Sequence, residues 1–151
     1  MASLPEGPLP NWFFRQHPSL EIAGFVYTSP PDERYNCVAW ALGNVADWIE
    51  PGGMAGTTWP SGVPVDLTVG TFVSLFQFFG YEVCSNGVFE DGYDKVAIYG
   101  DDGDFCHVAR QSEDGWSSKL GELNDIEHPT LAALEDRSYG YVLLFLRRQR
   151  A

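Results

Sequence analysis

Cys37 stands in the run Arg34-Tyr35-Asn36-Cys37-Val38-Ala39-Trp40-Ala41, where a helix is expected to begin. A thiol in the first turn of a helix meets unpaired N–H groups and the positive end of the dipole, which favour the thiolate. The same N–H groups can hold a developing oxyanion. A nucleophilic cysteine also needs a base. Of the three histidines, His107 suits that role best, at the start of an expected strand in Phe105-Cys106-His107-Val108-Ala109-Arg110. His17 and His128 each precede a proline in irregular segments. The chemistry implied is attack of sulfur on an acyl carbon.

Alternation along a strand separates the neighbours of His107. His107, Ala109 and Gln111 share one face, and Cys106, Val108 and Arg110 the other. Cys106 therefore cannot be the thiol that His107 activates. A two-residue turn at Asp114-Gly115 puts Glu122 opposite His107; a four-residue loop over Ser112–Gly115 puts Ser118 diagonal to it. Both registers leave Ser118 and Glu122 on the His107 face and turn Lys119 away. The partner that orients the imidazole is Glu122 or Ser118, with the carboxylate preferred as the better imidazolium stabiliser. The Tyr35 hydroxyl or the Asn36 amide could join the Cys37 N–H in holding an oxyanion. Cys84 and Cys106 read as buried structural thiols. No metal or other cofactor is expected, because Cys106 and His107 sit on alternating faces and Asp101-Asp102-Gly103-Asp104 lacks the calcium-loop pattern.

These residues need elements to hold them. Residues 1–33 read as an irregular arm packed on the domain, with one short strand near Gly24–Thr28. Residues 34–151 read as a single domain. Val38, Leu42, Val45 and Ile49 predict a helix over 36–48, ended by Pro51-Gly52-Gly53. A second helix is expected from Asp66 or Thr68 to Phe79, with Gly80 as its stop. Strands are expected at 81–84, 95–100, 105–111, 116–120 and 141–147, and a short helix at 129–135. Helices followed by a mostly antiparallel sheet of about five strands make an α+β domain.

Composition limits the partners. The chain has 151 residues and a formal net charge of −12, from 21 acidic and 9 basic side chains. Such a surface repels phosphate backbones and anionic membranes, so neither nucleic acid nor a membrane is an expected partner. No apolar run approaches the roughly 20 residues of a membrane span, and the N-terminus lacks the pattern of a signal peptide. Three cysteines without a C-x-x-C argue for a reducing compartment. The expected location is the cytoplasm, unless a signal-free route exports the chain.

Tyr-Asn-Cys-x-x-Trp opening a helix, followed by a strand-initial His and a further strand, resembles the papain-like cysteine hydrolase superfamily. The order is similar to that of the NlpC-type and CHAP amidases. The runs H-V-A-R-Q and S-K-L-G-E-L-N-D-I-E-H are similar to an uncharacterised bacterial family within that superfamily. The resemblance spans roughly residues 34–147 and carries over Cys37 and His107. The third residue of those families has no match at its usual place, where Ser118 and Lys119 stand. The resemblance implies a papain-like (NlpC-type) fold and a cysteine hydrolase or acyl transferase, acting as amidase, peptidase or deamidase on a peptide or protein amide. The alternative is a non-catalytic acidic interaction module with the same fold, antitoxin-like or regulatory, that binds a basic protein partner.

Overall fold

The alternating apolar residues of the second half of the chain become long antiparallel strands. The structure, a computed structural model, describes residues 8–52 and 57–150. Two short helices, α1 (Asn11–Gln16) and α2 (Pro18–Ala23), precede the two-residue strand β1 (Val26–Tyr27). Then come α3 (Cys37–Ala41) and the strands β2 (Trp48–Ile49) and β3 (Thr57–Thr58), which pair in parallel. The helix α4 (Val69–Phe78) leads into β4 (Glu82–Cys84), β5 (Tyr93–Asp101), β6 (Asp104–Ser112) and β7 (Gly115–Lys119). The chain closes with β8 (Asp125–His128), a 3-10 turn (Leu131–Leu134) and β9 (Tyr141–Gln149).

Seven strands form one antiparallel sheet in the order β1-β8-β7-β6-β5-β9-β4. This corrects the expected papain-like α+β layout of N-terminal helices packed on about five strands. The added strand is β8, through which β1, the short strand expected near Gly24–Thr28, joins the sheet beyond β7. β8 is too short to announce itself by alternation. The expected arm, in its described part, holds α1, α2 and β1; residues 1–7 lie outside the described residues, as does Gly53 of the expected helix stop.

Each face of the sheet carries its own core. Val96, Ile98, Val108 and Leu146 pack with Val38 and Ala39 of α3 and with Phe72, Leu75 and Phe76 of α4. Ala97, Tyr99, Ala109 and Ile126 pack on the opposite face with Leu9, Phe13 and Leu20 and with Leu134 of the 3-10 turn. The N-terminal segment is thus structural, since it supplies one of the two layers.

The helix expected over 36–48 is only α3. The Asn44 N–H donates to the Ala39 carbonyl at 2.8 Å, and Gly43 takes a φ of +82°, the left-handed turn that stops a helix. Asn36 caps its start, with its side-chain oxygen accepting from the Ala39 N–H at 3.1 Å.

The β6–β7 register is one of the two left open by the sequence. Arg110 pairs with Ser117 and Ser112 with Gly115, so Ser118 falls diagonal to His107. Glu122 does not follow on the same face, because β7 ends at Lys119. Gly121 turns at a φ of +62°, and the Leu123 N–H donates back to the Leu120 carbonyl at 2.9 Å. Glu122 is left exposed on that turn.

A second tight turn, Asp136 to Gly140, is clamped by reciprocal backbone hydrogen bonds of 3.1 and 2.8 Å. Gly140 has a φ of +73°, and a Cβ there would clash with the Gly100 carbonyl. Gly140→Ala is expected to lower stability by more than about 1 kcal/mol, read as a fall in the urea midpoint. An unchanged midpoint would contradict this account of the turn.

Candidate functional site

β6 aims His107 into the core face that also holds Tyr99 and Ala109, where the ring is 1% exposed. Its Nε2 lies 3.0 Å from Ser118 Oγ on β7. Ser118 Oγ lies 2.8 Å from His128 Nε2 on β8, and His128 Nδ1 lies 2.9 Å from the Thr130 carbonyl oxygen. These bonds have a direction. A carbonyl only accepts, so His128 carries its proton on Nδ1 and accepts at Nε2 while neutral. The Ser118 hydroxyl then donates to His128 and accepts from His107 Nε2–H. His107 is left with an unprotonated Nδ1, to which no hydrogen bond is made among the described residues. A neutral imidazole with its Nδ1 lone pair free is a base in waiting.

Burial supports the neutral forms. It pushes His107 well below the usual histidine value, and the nearby His128 and His17 add to the shift. Burial lowers His128 too, opposed by its bond to Thr130.

The Tyr139 ring lies parallel to that of His107, 4.2 Å between centroids and 5° between planes. On its other side is His17, also at 4.2 Å, which in turn packs on Phe13 at 4.2 Å. His17 Nδ1 lies 2.7 Å from Asp136 Oδ2, while Asp136 Oδ1 accepts from the Ser138 and Tyr139 N–H groups at 2.9 and 2.8 Å. All three histidines of the chain therefore meet in one buried cluster. Sequence reasoning set His17 and His128 aside. The missed signals are Phe13 and His17 one helical turn apart, and the buried alternation of Ile126 and His128.

Cys37 begins α3, which packs on the Val108 face of the sheet; it is half-buried, and its thiol reaches β6 beside the stretch that β7 leaves unpaired. Its thiol lies against the N–H groups of Val108, of Val38 and of Cys37 itself, with the Lys119 ammonium within electrostatic reach. Val108 directly follows His107. Burial outweighs these favourable groups and pushes the thiol up to about 11. The expected lowering by a long helix is thus corrected, for α3 spans five residues and the sulfur is desolvated. Among the described residues, no hydrogen bond joins Cys37 to His107.

The other expected site residues are engaged elsewhere. The Tyr35 hydroxyl donates to Asp125 Oδ2 at 2.6 Å, and burial followed by this bond pushes the phenol up to about 12. Asn36 Nδ2 donates to the Ile49 carbonyl at 2.8 Å, and Oδ1 accepts from both Ala39 and Ile49. The Tyr35 hydroxyl thus has no hydrogen free for an oxyanion, and the Asn36 side chain is held in place as the cap of α3. Among the described residues Glu122 makes no hydrogen bond to the imidazole; its carbonyl accepts from the Asp32 N–H at 3.1 Å. Lys119 points to the α3 side, over the Tyr35 ring at 4.6 Å, and donates to the Asp32 and Gly121 carbonyls at 2.5 Å each. Burial pushes its ammonium down to about 8. Among the described residues, no group of three or more His, Cys, Asp and Glu could hold a metal ion.

The family described as "Domain of unknown function (DUF7689)" matches residues 26–147. The chain belongs to that family. No curated protein and no solved structure matches the chain. The span matched by DUF7689 holds Cys37, His107, Ser118, His128 and Tyr139, while α1 and α2, with His17, lie before it. No helix among the described residues is long and apolar enough to cross a membrane.

Two predictions follow from the cluster. Ser118→Ala strands the buried Nε2 atoms of His107 and His128, and is expected to cost about 1–3 kcal/mol by urea unfolding; a neutral substitution would contradict the relay. Second, His107 and His128 bind protons more weakly folded than unfolded. Their contribution is complete above about pH 6.5 and is lost as pH falls below it. The urea midpoint should drop between pH 7.5 and 5.5, and less steeply in His107→Gln. A flat profile would contradict the buried neutral state.

Proposed function

We propose that the chain is a thiol-dependent amide hydrolase or acyl transferase, with Cys37 as nucleophile and His107 as base. One observation carries this reading: the Thr130–His128–Ser118 chain orients His107 so that Nδ1 is free to take a proton. A histidine serving only as packing needs no such relay, and a half-satisfied buried network costs stability. Kinship with the NlpC-type and CHAP amidases, which the surroundings of Cys37 and His107 resemble, belongs to the same proposal.

The resting pair is a neutral thiol and a neutral imidazole, so the proton moves as the sulfur attacks. Sulfur bonds to the carbonyl carbon and the thiol proton passes to His107 Nδ1. The new imidazolium is held through Nε2–H to Ser118 and on to His128. Ser118 thus fills the orienting role, and Glu122 does not. Lys119 favours the transient negative charge on sulfur. His107 then protonates the leaving amine as the C–N bond breaks, and water or an acceptor amine releases the acyl group from the thioester. A net charge of −12 favours neutral or basic peptide and protein amides over anionic polymers. A reducing compartment such as the cytoplasm suits the three free thiols.

A second reading, a non-catalytic acidic module binding a basic protein partner, is favoured by the thiol being pushed up to about 11 and by its lack of a hydrogen bond to His107 among the described residues.

The two readings part on acylation by p-nitrophenyl acetate in a Cys84→Ser/Cys106→Ser background. The hydrolase reading predicts a burst of one nitrophenol per chain, lost in Cys37→Ser and slowed about 100-fold or more in His107→Ala. Release no faster than from a free thiol would leave the binding module.

A further inference from the structure

We propose that the Tyr139 hydroxyl is the donor that holds the oxyanion formed when Cys37 attacks its substrate. This deepens the hydrolase reading and rests on it. Of the oxyanion candidates nearest Cys37 in sequence, the Tyr35 hydroxyl is spent on Asp125, and the Asn36 side chain is held as the cap of α3 by Ile49 and Ala39. Tyr139 is different. Its ring is fixed between His107 and His17, and its backbone is fixed by Asp136 Oδ1 and the Gly140 turn. Its hydroxyl makes no hydrogen bond among the described residues.

Cys37 and Tyr139 lie within electrostatic reach of one another. Burial, with the charges of Cys37 and Asp136, pushes the phenol upward, so it stays protonated and able to donate. Tyr139 also lines a cleft of about 440 Å³ between α1 and the Gly121 turn, with Trp12, Leu120 and Leu123. Tyr139 therefore touches both the base and a surface open to a ligand. The cleft's lining, largely apolar with Gln16, Glu122 and Ser138 among it, suits an uncharged peptide-like acyl group.

As the C–S bond forms, the carbonyl π pair moves to oxygen and the thiol proton to His107 Nδ1. The Tyr139 O–H donates to that oxygen and keeps its proton. Collapse re-forms the carbonyl, expels the leaving group and returns the proton to it from His107. A donor fixed before the reaction pays no reorganisation at the moment charge develops.

The test compares two reagents on Cys37 in the Cys84→Ser/Cys106→Ser background. Acylation by p-nitrophenyl acetate passes through an oxyanion; alkylation by iodoacetamide does not. Tyr139→Phe keeps the ring stack, and should slow acylation about 100-fold while alkylation stays within about twofold. Equal acylation would overturn the proposal, as would a parallel fall in both rates, which marks a structural role. Should Tyr139→Phe unfold, 3-fluorotyrosine in place of Tyr139 makes the hydroxyl a stronger donor. It should then quicken acylation alone, and an unchanged rate would overturn the proposal. If the wild type is not acylated at all, the hydrolase reading fails first and this inference with it. If the wild type is acylated and Tyr139→Phe matches it, only the inference fails.

Discussion

The hydroxyl of Ser118 is shared by two buried imidazoles, and the arrangement of the site depends on it. One oxygen cannot satisfy His107 and His128 in arbitrary protonation states. The Thr130 carbonyl removes the ambiguity at one end, and the direction then propagates through Ser118 to His107. Three adjacent strands are needed to build this line, since β6 supplies His107, β7 supplies Ser118 and β8 supplies His128. The sheet's width is therefore part of the site, and β8, held between β7 and the edge strand β1, is one of its walls.

The second constraint is how little water the cluster admits. His17, His107 and His128 are each 2% exposed or less, and burial disfavours the charged forms of His107 and His128. His17 is bonded to Asp136, and the same carboxylate pins the turn that carries Tyr139. The N-terminal helices thus reach the site through one side chain: His17, between α1 and α2, packs on the Tyr139 ring and is backed by Phe13 of α1. On the opposite face Lys119 is buried and, among the described residues, has no carboxylate within salt-bridge distance. It donates to two carbonyls and lies within electrostatic reach of Cys37.

Much of the sheet was legible in the sequence because long strands advertise a period of two. β5, β6, β7 and β9 and the helix α4 fall where alternation and the apolar stripe place them. The missing parts lack local signals. β8 has only four residues, and the stop of α3 lies in a left-handed Gly43 that a helical apolar pattern overrides. Cys37, His107 and Ser118 were readable as residue types in a register. Glu122 was misplaced because Gly121 reverses the chain just where the alternation was carried on. His17 and His128 were set aside as residues before prolines. Their roles come from partners more than one hundred residues away for His17 and ten away for His128, neither visible in a local window.

The account's central claim is the protonation pattern of His107. Long-range ¹H–¹⁵N correlation spectra of the imidazoles at pH 7.5 read it directly. The account predicts a neutral His107 with the proton on Nε2 and a bare Nδ1, beside a neutral His128 with the opposite tautomer. A protonated Nδ1 on His107, whether in the other tautomer or in an imidazolium, would contradict it.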